Sequence, residues 1–235
     1  MTHTWKILSV ALLAAGCTEP IKAGDVYTSE IAANMDVVCD GQHSVATTLL
    51  TVGGSEPATY IALDVDDTLT TTVGEESLEM SELTIGGIIT YIAAFDVTAV
   101  DSSFTIAFDH PLDGGALNNT VTLPPPFDLT VADSVTSFSR SAEDLALVWT
   151  GDSAGDPMHL HAAGDCIEDY DQDMTDEGTA TIPAGALVPV EGLELETCDV
   201  TVTVVRVRLG TVDSAWYGGD IEGDQQRAVT ISGTP

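Results

Sequence analysis

Paired carboxylates, two alternating histidines and four cysteines are the residues of this chain that could do chemistry. Asp64 and Asp66 stand two apart behind the apolar run Ile61-Ala62-Leu63, where one carboxylate could attack or hold a metal while the other handles a proton. His159 and His161 alternate on a β-type run, so both rings face the same way, a spacing that suits a transition metal, although no third ligand is evident nearby beyond Asp165 as a candidate. Asp169, Asp171, Asp173 and Asp176, with Glu177, form an acidic loop whose regularly spaced carboxylates could wrap a hard cation such as Ca²⁺. Self-repulsion among them calls for a counter-ion, and a solvated acidic loop is the simpler reading.

Longer stretches carry resemblances. Ile61-Ala62-Leu63-Asp64-Val65-Asp66-Asp67-Thr68-Leu69 resembles the nucleophile motif of haloacid-dehalogenase-type phosphatases, and Gly151-Asp152-Ser153-Ala154-Gly155-Asp156 resembles their metal-binding motif. That resemblance implies Asp64 as nucleophile, Asp66 as acid/base and Mg²⁺ on the phosphoryl group. It also requires a protein cation on the phosphate and the helices of an α/β sheet. The only lysines are Lys6 and Lys22, both ahead of the fold, and no sustained helical period is present. The expectation is an acidic turn between two strands. The acidic loop is no EF-hand either, since counting from Asp169 puts Met174 where the sharp turn needs Gly and Ala180 where the bidentate Glu belongs. A Ser-His-Asp set could be drawn from His43 or His110, yet no Gly-x-Ser-x-Gly turn marks a nucleophile. A metal-dependent hydrolase built on Asp64 and Asp66, or on His159 and His161, stands as the alternative to a non-enzymatic protein.

Charge narrows the partners. The 235 residues hold 6 Lys and Arg against 38 Asp and Glu, a formal charge of −32. Nucleic acid is excluded as a partner, because no basic stripe is available to neutralise phosphates. Anionic membrane surfaces repel such a fold, whereas divalent cations and cationic partners are drawn to it. With 44% hydrophobic and only 19% charged residues, the chain nevertheless folds.

The first residues read as an export signal: Lys6 supplies the positive region, Ile7 to Ala15 the apolar one, and Ala14-Ala15-Gly16 the small residues before cleavage. Leu13-Ala14-Ala15-Gly16 before Cys17 resembles the lipobox of bacterial lipoproteins, with Ala14 standing where that family usually has Leu. The resemblance implies a signal peptide over residues 1–16, acyl chains on Cys17 and a tether over residues 17–25 that carries the fold on a membrane. Thr18 after the Cys resembles outer-membrane-directed lipoproteins, so the expected location is the outer membrane or cell surface, with secretion as the alternative. Lipidation leaves Cys39, Cys166 and Cys198; the last two, in the same half of the chain, are expected to form a disulfide with Cys39 a buried free thiol. In the rival scheme Cys17 bridges Cys39.

These groups must be positioned by strands. β-type runs occupy Ser44 to Val52, Ala58 to Val65, Asp67 to Val73, Ser77 to Ile85, Ile88 to Val97, Ser103 to Phe108 and Thr120 to Leu123, punctuated by Gly pairs. Pro124-Pro125-Pro126 marks a boundary between a β-sandwich domain over residues 26–123 and a second over residues 124–235 with a C-terminal tail. In the second, Leu145, Leu147 and Trp149 alternate, as do Met158 and Leu160. Along Cys198 to Leu209 the apolar positions switch from even to odd, which predicts a bulge near Val204-Val205 that turns Arg206 and Arg208 outward. Phe127-Asp128-Leu129-Thr130 followed by Leu145 to Thr150 resembles a fibronectin type III or immunoglobulin-like module over residues 124–210, although Trp149 precedes both Cys166 and Cys198. The series Trp149, Gly164-Asp165-Cys166, Thr181 to Gly185 and Cys198 to Arg208 also resembles predicted lipoproteins of Gram-negative bacteria, a family with no known activity. The expected fold is all-β, two sandwiches after a signal peptide. The expected function is non-enzymatic, in surface interaction with a cationic, protein or glycan partner, or as an envelope component. The one cofactor in view is Ca²⁺, which would make it a Ca²⁺-stabilised binding module.

Overall fold

The computed structural model describes residues 19–53, 58–151 and 155–235. Residues 1–16, expected to be a signal peptide, Cys17, Thr18 and the Asp152 to Ala154 stretch lie outside these residues.

Among the described residues eighteen strands follow in order: β1 (Ile21–Lys22), β2 (Ile31–Cys39), β3 (Ser44–Val52), β4 (Ile61–Ala62), β5 (Thr68–Val73), β6 (Glu76–Glu79), β7 (Ser81–Ile85), β8 (Ile88–Phe95), β9 (Ser103–Asp109), β10 (Ala116–Thr122), β11 (Leu129–Val131), β12 (Ser137–Ser139), β13 (Leu145–Trp149), β14 (Met158–Gly164), β15 (Ile167–Met174), β16 (Thr179–Ile182), β17 (Cys198–Leu209) and β18 (Gly218–Thr234). The fold is an all-β sandwich, as expected. Period-two alternation builds it: Phe104, Ile106 and Phe108 of β9 are fully buried, while Ala107 between them is half-buried.

One large sheet runs β15-β14-β17-β18-β2-β3-β8-β7, with β12 added along the end of β18. Its β2-β3-β8 end faces a four-stranded sheet, β10-β9-β5-β6, across a first core that contains Met35, Leu50, Tyr91, Phe104 and Ile106. Its β14-β17 end faces a three-stranded sheet, β11-β13-β16, across a second core of Leu147, Trp149, Leu160, Val202 and Val204. Burying each such large side chain contributes ~1.5–3 kcal/mol. The two sandwiches therefore share a sheet.

The sharing strand is β18. Its first half pairs parallel with β2, from Gly218 opposite Ala32 to Gln225 opposite Cys39, while β17 pairs antiparallel along its other edge from Cys198 to Leu209. What the sequence reading treats as a C-terminal tail is thus the longest strand. Leu123 lies in the first core and Phe127 in the second, on either side of the three prolines. Trp216 and Ile221 return to the first core, so the 26–123 and 124–235 halves do not each own a separate core. Asn119 ties the returning segment down: its Oδ1 accepts from Trp216 Nε1 at 2.8 Å and from the Asp213 amide at 2.9 Å.

The bulge is absent. The β17 to β18 register is continuous, and the even positions continue inward as Val204, Arg206 and Arg208. The odd positions Val205, Val207 and Leu209 lie on the face turned away from the cores, which explains the switch in apolar parity without an inserted residue.

Candidate functional site

Arg206 and Arg208 enter the joint between the sandwiches, contrary to the outward direction predicted for them. The Arg206 side chain donates to the carbonyl oxygens of Pro125 and of Thr150 (3.0 Å), lies 4.9 Å over the Phe127 ring and pairs with Asp176 at 2.6 Å. Asp176 also accepts from Trp149 Nε1 at 2.7 Å. Arg208 bridges Asp156 at 2.6 Å and Asp101 at 2.8 Å, and these hydrogen bonds, Asp156 first, hold its guanidinium protonated above the ordinary arginine range. Arg140, also buried, donates to the carbonyls of Thr234, Cys166 and Glu196. The few cations of an acidic chain are thus spent on cross-linking its segments.

The expected disulfide is present: Cys166, in the β14–β15 turn, is bonded to Cys198 at the start of β17, with Cα atoms 5.9 Å apart. Cys39 is a buried free thiol. Cys17 falls outside the described residues.

The acidic loop is largely a strand. Asp169, Asp171 and Asp173 lie on the edge strand β15, exposed, and the β14 register sets Asp171 opposite His161 and Asp173 opposite His159. His159 Nδ1 lies 3.0 Å from Asp173 Oδ1, while His159 Nε2 and His161 Nδ1 both approach Asp171 Oδ1, at 3.1 and 2.9 Å. The histidines face the same way, as expected, and their ring nitrogens meet carboxylates across the hairpin. Asp176 is withdrawn from this row into the joint with Arg206, which corrects its place in the proposed Ca²⁺ set. Among the described residues, no three His, Cys, Asp or Glu side chains are grouped so as to hold a metal ion.

Asp64 sits on the turn between β4 and β5, where its carboxylate accepts from the Gly24 amide at 3.0 Å and lies 4.0 Å from Lys22 Nζ, so Lys22, on β1 beside β4, belongs to the fold and not to the tether expected over residues 17–25. Asp66 is exposed on the same turn. Asp156, the described acid of the second motif, is engaged by Arg208 at the joint. The buried Asp67 pairs with His110 Nδ1 at 2.7 Å, and His110 Nε2 faces the Val26 carbonyl at 3.1 Å, so neither ring nitrogen is left to take a proton from a serine. His110 stacks on Phe108, which stacks on Trp216, in a column whose ring centroids are 5.2 Å apart at each step.

A row of carboxylates that local sequence pattern does not reveal lies on the joined sheet. Asp36 of β2 stands directly opposite Glu222 of β18, with Asp220 and Asp224 two residues to either side on the same face. Burial, reinforced by repulsion from Asp220, pushes the Asp36 carboxyl up to about 6. Burial, with repulsion from Asp36 and Asp220, pushes Glu222 up to about 7. Asp224 is raised well above the ordinary range by burial and then by Asp36 and Glu222. Carboxylates two apart next to Ile221 were the available signal, hidden because Asp is depleted in strands.

No helix among the described residues is long and apolar enough to cross a membrane. No protein-family model matches the sequence, and no curated protein matches it. Among solved structures, the ectodomain of mouse nectin-like molecule 4 aligns at a TM-score of 0.28 and 11% identity, over 89% of this chain and 65% of that one. The FN1–FN3 domains of chicken CNTN1 align at 0.26 and 10%, over 86% of this chain and 63% of that one. The Yersinia pseudotuberculosis adhesin InvE aligns at 0.24 and 12%, over 87% of this chain and 59% of that one. The chain thus spans less than two thirds of the length of each of these three.

Proposed function

We propose that the protein is a non-enzymatic, extracytoplasmic interaction module, held on the outer membrane or cell surface by acyl chains on Cys17. The observation that carries the reading is the Cys166–Cys198 disulfide, because such bonds form and persist in oxidising compartments outside the cytoplasm. The export-type residues before Cys17 agree with it. The side chains best suited to catalysis are engaged elsewhere: Asp67 and His110 with each other, Asp156 with Arg208, Asp176 with Arg206. The partner is cationic at its contact surface, since the formal charge of −32 is accompanied by arginines that are drawn into the fold.

Metabolic labelling with a palmitate analogue in a Gram-negative host tests the anchor. The expected result is label on the wild type, none on Cys17→Ser, and a shift of the variant from membrane to soluble fraction. An unlabelled, soluble wild type with Cys17 bridged to Cys39 overturns the anchored reading in favour of a secreted protein. Phosphatase or esterase activity that depends on added Mg²⁺ or Zn²⁺ and disappears in Asp64→Asn overturns the non-enzymatic one.

A further inference from the structure

We propose that the parallel seam between β18 and β2 is a pH-responsive latch, closed while Asp36, Glu222 and Asp224 share protons and loosened when they lose them. The geometry sets the three groups together. Glu222 lies directly across from Asp36, and Asp224 stands two residues further along the same strand face. Like charges opposite one another weaken a strand pair. Asp224 is only 7% exposed, and its Oδ1 has no hydrogen-bond partner. An ionised carboxylate left so is costly, and a proton removes the charge and supplies a donor.

Nothing cationic faces this row among the described residues. From β17 the neighbours are Val205, Val207 and Leu209; from β3, Thr47, which hydrogen-bonds Asp36; from β2 itself, Asn34 and Val38; from β18, Asp220 and Gln226. Arg206 and Arg208 lie on the opposite face in the joint, and Arg227 lies there too, 5.5 Å over the Phe127 ring. His159 is one strand further out, opposite Val205, with its nitrogens on Asp171 and Asp173. Burial is the largest cause of the upward shift in all three latch carboxyls.

The sign follows from linkage. Acids whose values are higher in the folded than in the unfolded chain contribute stability that is fully present below the ordinary carboxyl range and is lost as pH rises through the folded values. For Asp36 that window ends near pH 6 and for Glu222 near pH 7, and Asp224, raised by the same burial, acts in the same direction. The seam joins β17 and β18 to β2 and β3, so its loosening parts the shared sheet and frees two strand edges.

Amide hydrogen exchange on the full chain at pH 5 and pH 8.5, corrected for intrinsic rates and run at high salt, reads the latch strand by strand. Protection over residues 31–39 and 218–225 is expected to fall roughly tenfold or more between the two conditions, while β9 and β13 hold theirs. Asp36→Asn/Glu222→Gln/Asp224→Asn is expected to hold seam protection within about twofold at both pH values, the neutral amides standing in for the protonated acids. Unchanged wild-type protection, an equal fall in every strand, or a seam-specific fall that persists in the variant overturns the proposal. If the triple variant does not fold, the wild-type contrast between the seam and β9 still decides it.

Discussion

Arg206 Nη2 lies 2.6 Å from Asp176 Oδ2, in a joint where the two side chains are 1% and 2% exposed. Both ions have left water, and each is sustained by neighbours: Trp149 donates to the carboxylate, and the guanidinium donates to the carbonyls of Pro125 and Thr150. Removing one partner strands the other, which typically costs ~3–5 kcal/mol, whereas an apolar pair of similar volume can be near neutral. Asp176→Ala is therefore expected to lower the urea unfolding free energy by about that amount. Arg206→Met/Asp176→Leu is expected to recover most of it. A single variant within about 1 kcal/mol of wild type would show that the joint is not held by this pair.

Reduction of Cys166–Cys198 reopens a loop with a sequence separation of 32 residues. In the chain-entropy account such a closure contributes ~3–4 kcal/mol. Cys166→Ala/Cys198→Ala is expected to lose that much stability in urea. The same loss should follow addition of a reductant to the wild type, and the variant should then be insensitive to the reductant. A variant as stable as wild type would show that the loop is ordered by Arg140 alone, through its bonds to the Cys166 and Glu196 carbonyls.

How far the sequence shows these features depends on whether local pattern or distant partner decides them. The all-β fold, alternating strands such as Ser44–Val52, Ile88–Phe95 and Ser103–Asp109, and the Cys166–Cys198 pairing are legible from local pattern and position in the chain. The run expected over Ser77 to Ile85 is instead two strands, β6 and β7, in different sheets, and that over Ala58 to Val65 is strand only at Ile61–Ala62. The strands β2 and β18 are not legible, since their carboxylates contradict strand propensity, and their mutual pairing, 186 residues apart at Ala32 and Gly218, together with β3 and β17 on their other edges, makes them strands. Arg206 and Arg208 are misread for a related reason: an arginine after three inward valines looks like a surface residue until Asp176, Asp156 and Asp101 are brought to it. In the same way the alternating aspartates of 169–173 read as a cation loop until β14 sets His159 and His161 across from them.

Gly219 sits at the start of the seam with φ of +133°, and a Cβ there would stand 1.8 Å from the Ala33 carbonyl oxygen. No relaxation of a side chain relieves a clash with backbone, so Gly219→Ala must shift β18 off β2. Its expected cost is roughly 2–4 kcal/mol, with Trp216 fluorescence moving toward the exposed range as the first core opens. Gly114→Ala is the control, having φ of +92° but nothing within 4 Å of the new methyl, with an expected cost of ~1–2 kcal/mol. Equal costs for the two would show that strain at the glycine matters and the β2 contact does not.

Salt separates general from specific cation effects. With a formal charge of −32, and with Arg140 and Arg206 buried in the fold, self-repulsion is a property of the whole molecule. Raising NaCl from about 0.01 M to 1 M shortens the screening length from roughly 30 Å to 3 Å, so the Tm is expected to climb steadily across that range. Ca²⁺ binding specific to the folded state would add a further increase that depends on its concentration. Since Asp176 is bound to Arg206 and the aspartates of β15 are spread along an edge strand facing histidines, CaCl2 is expected to give the same Tm as NaCl at matched ionic strength. An excess Tm in CaCl2 that disappears in Asp171→Asn/Asp173→Asn would instead establish β15 as a calcium site, with the row of carboxylates closing on the ion from conformations other than this one.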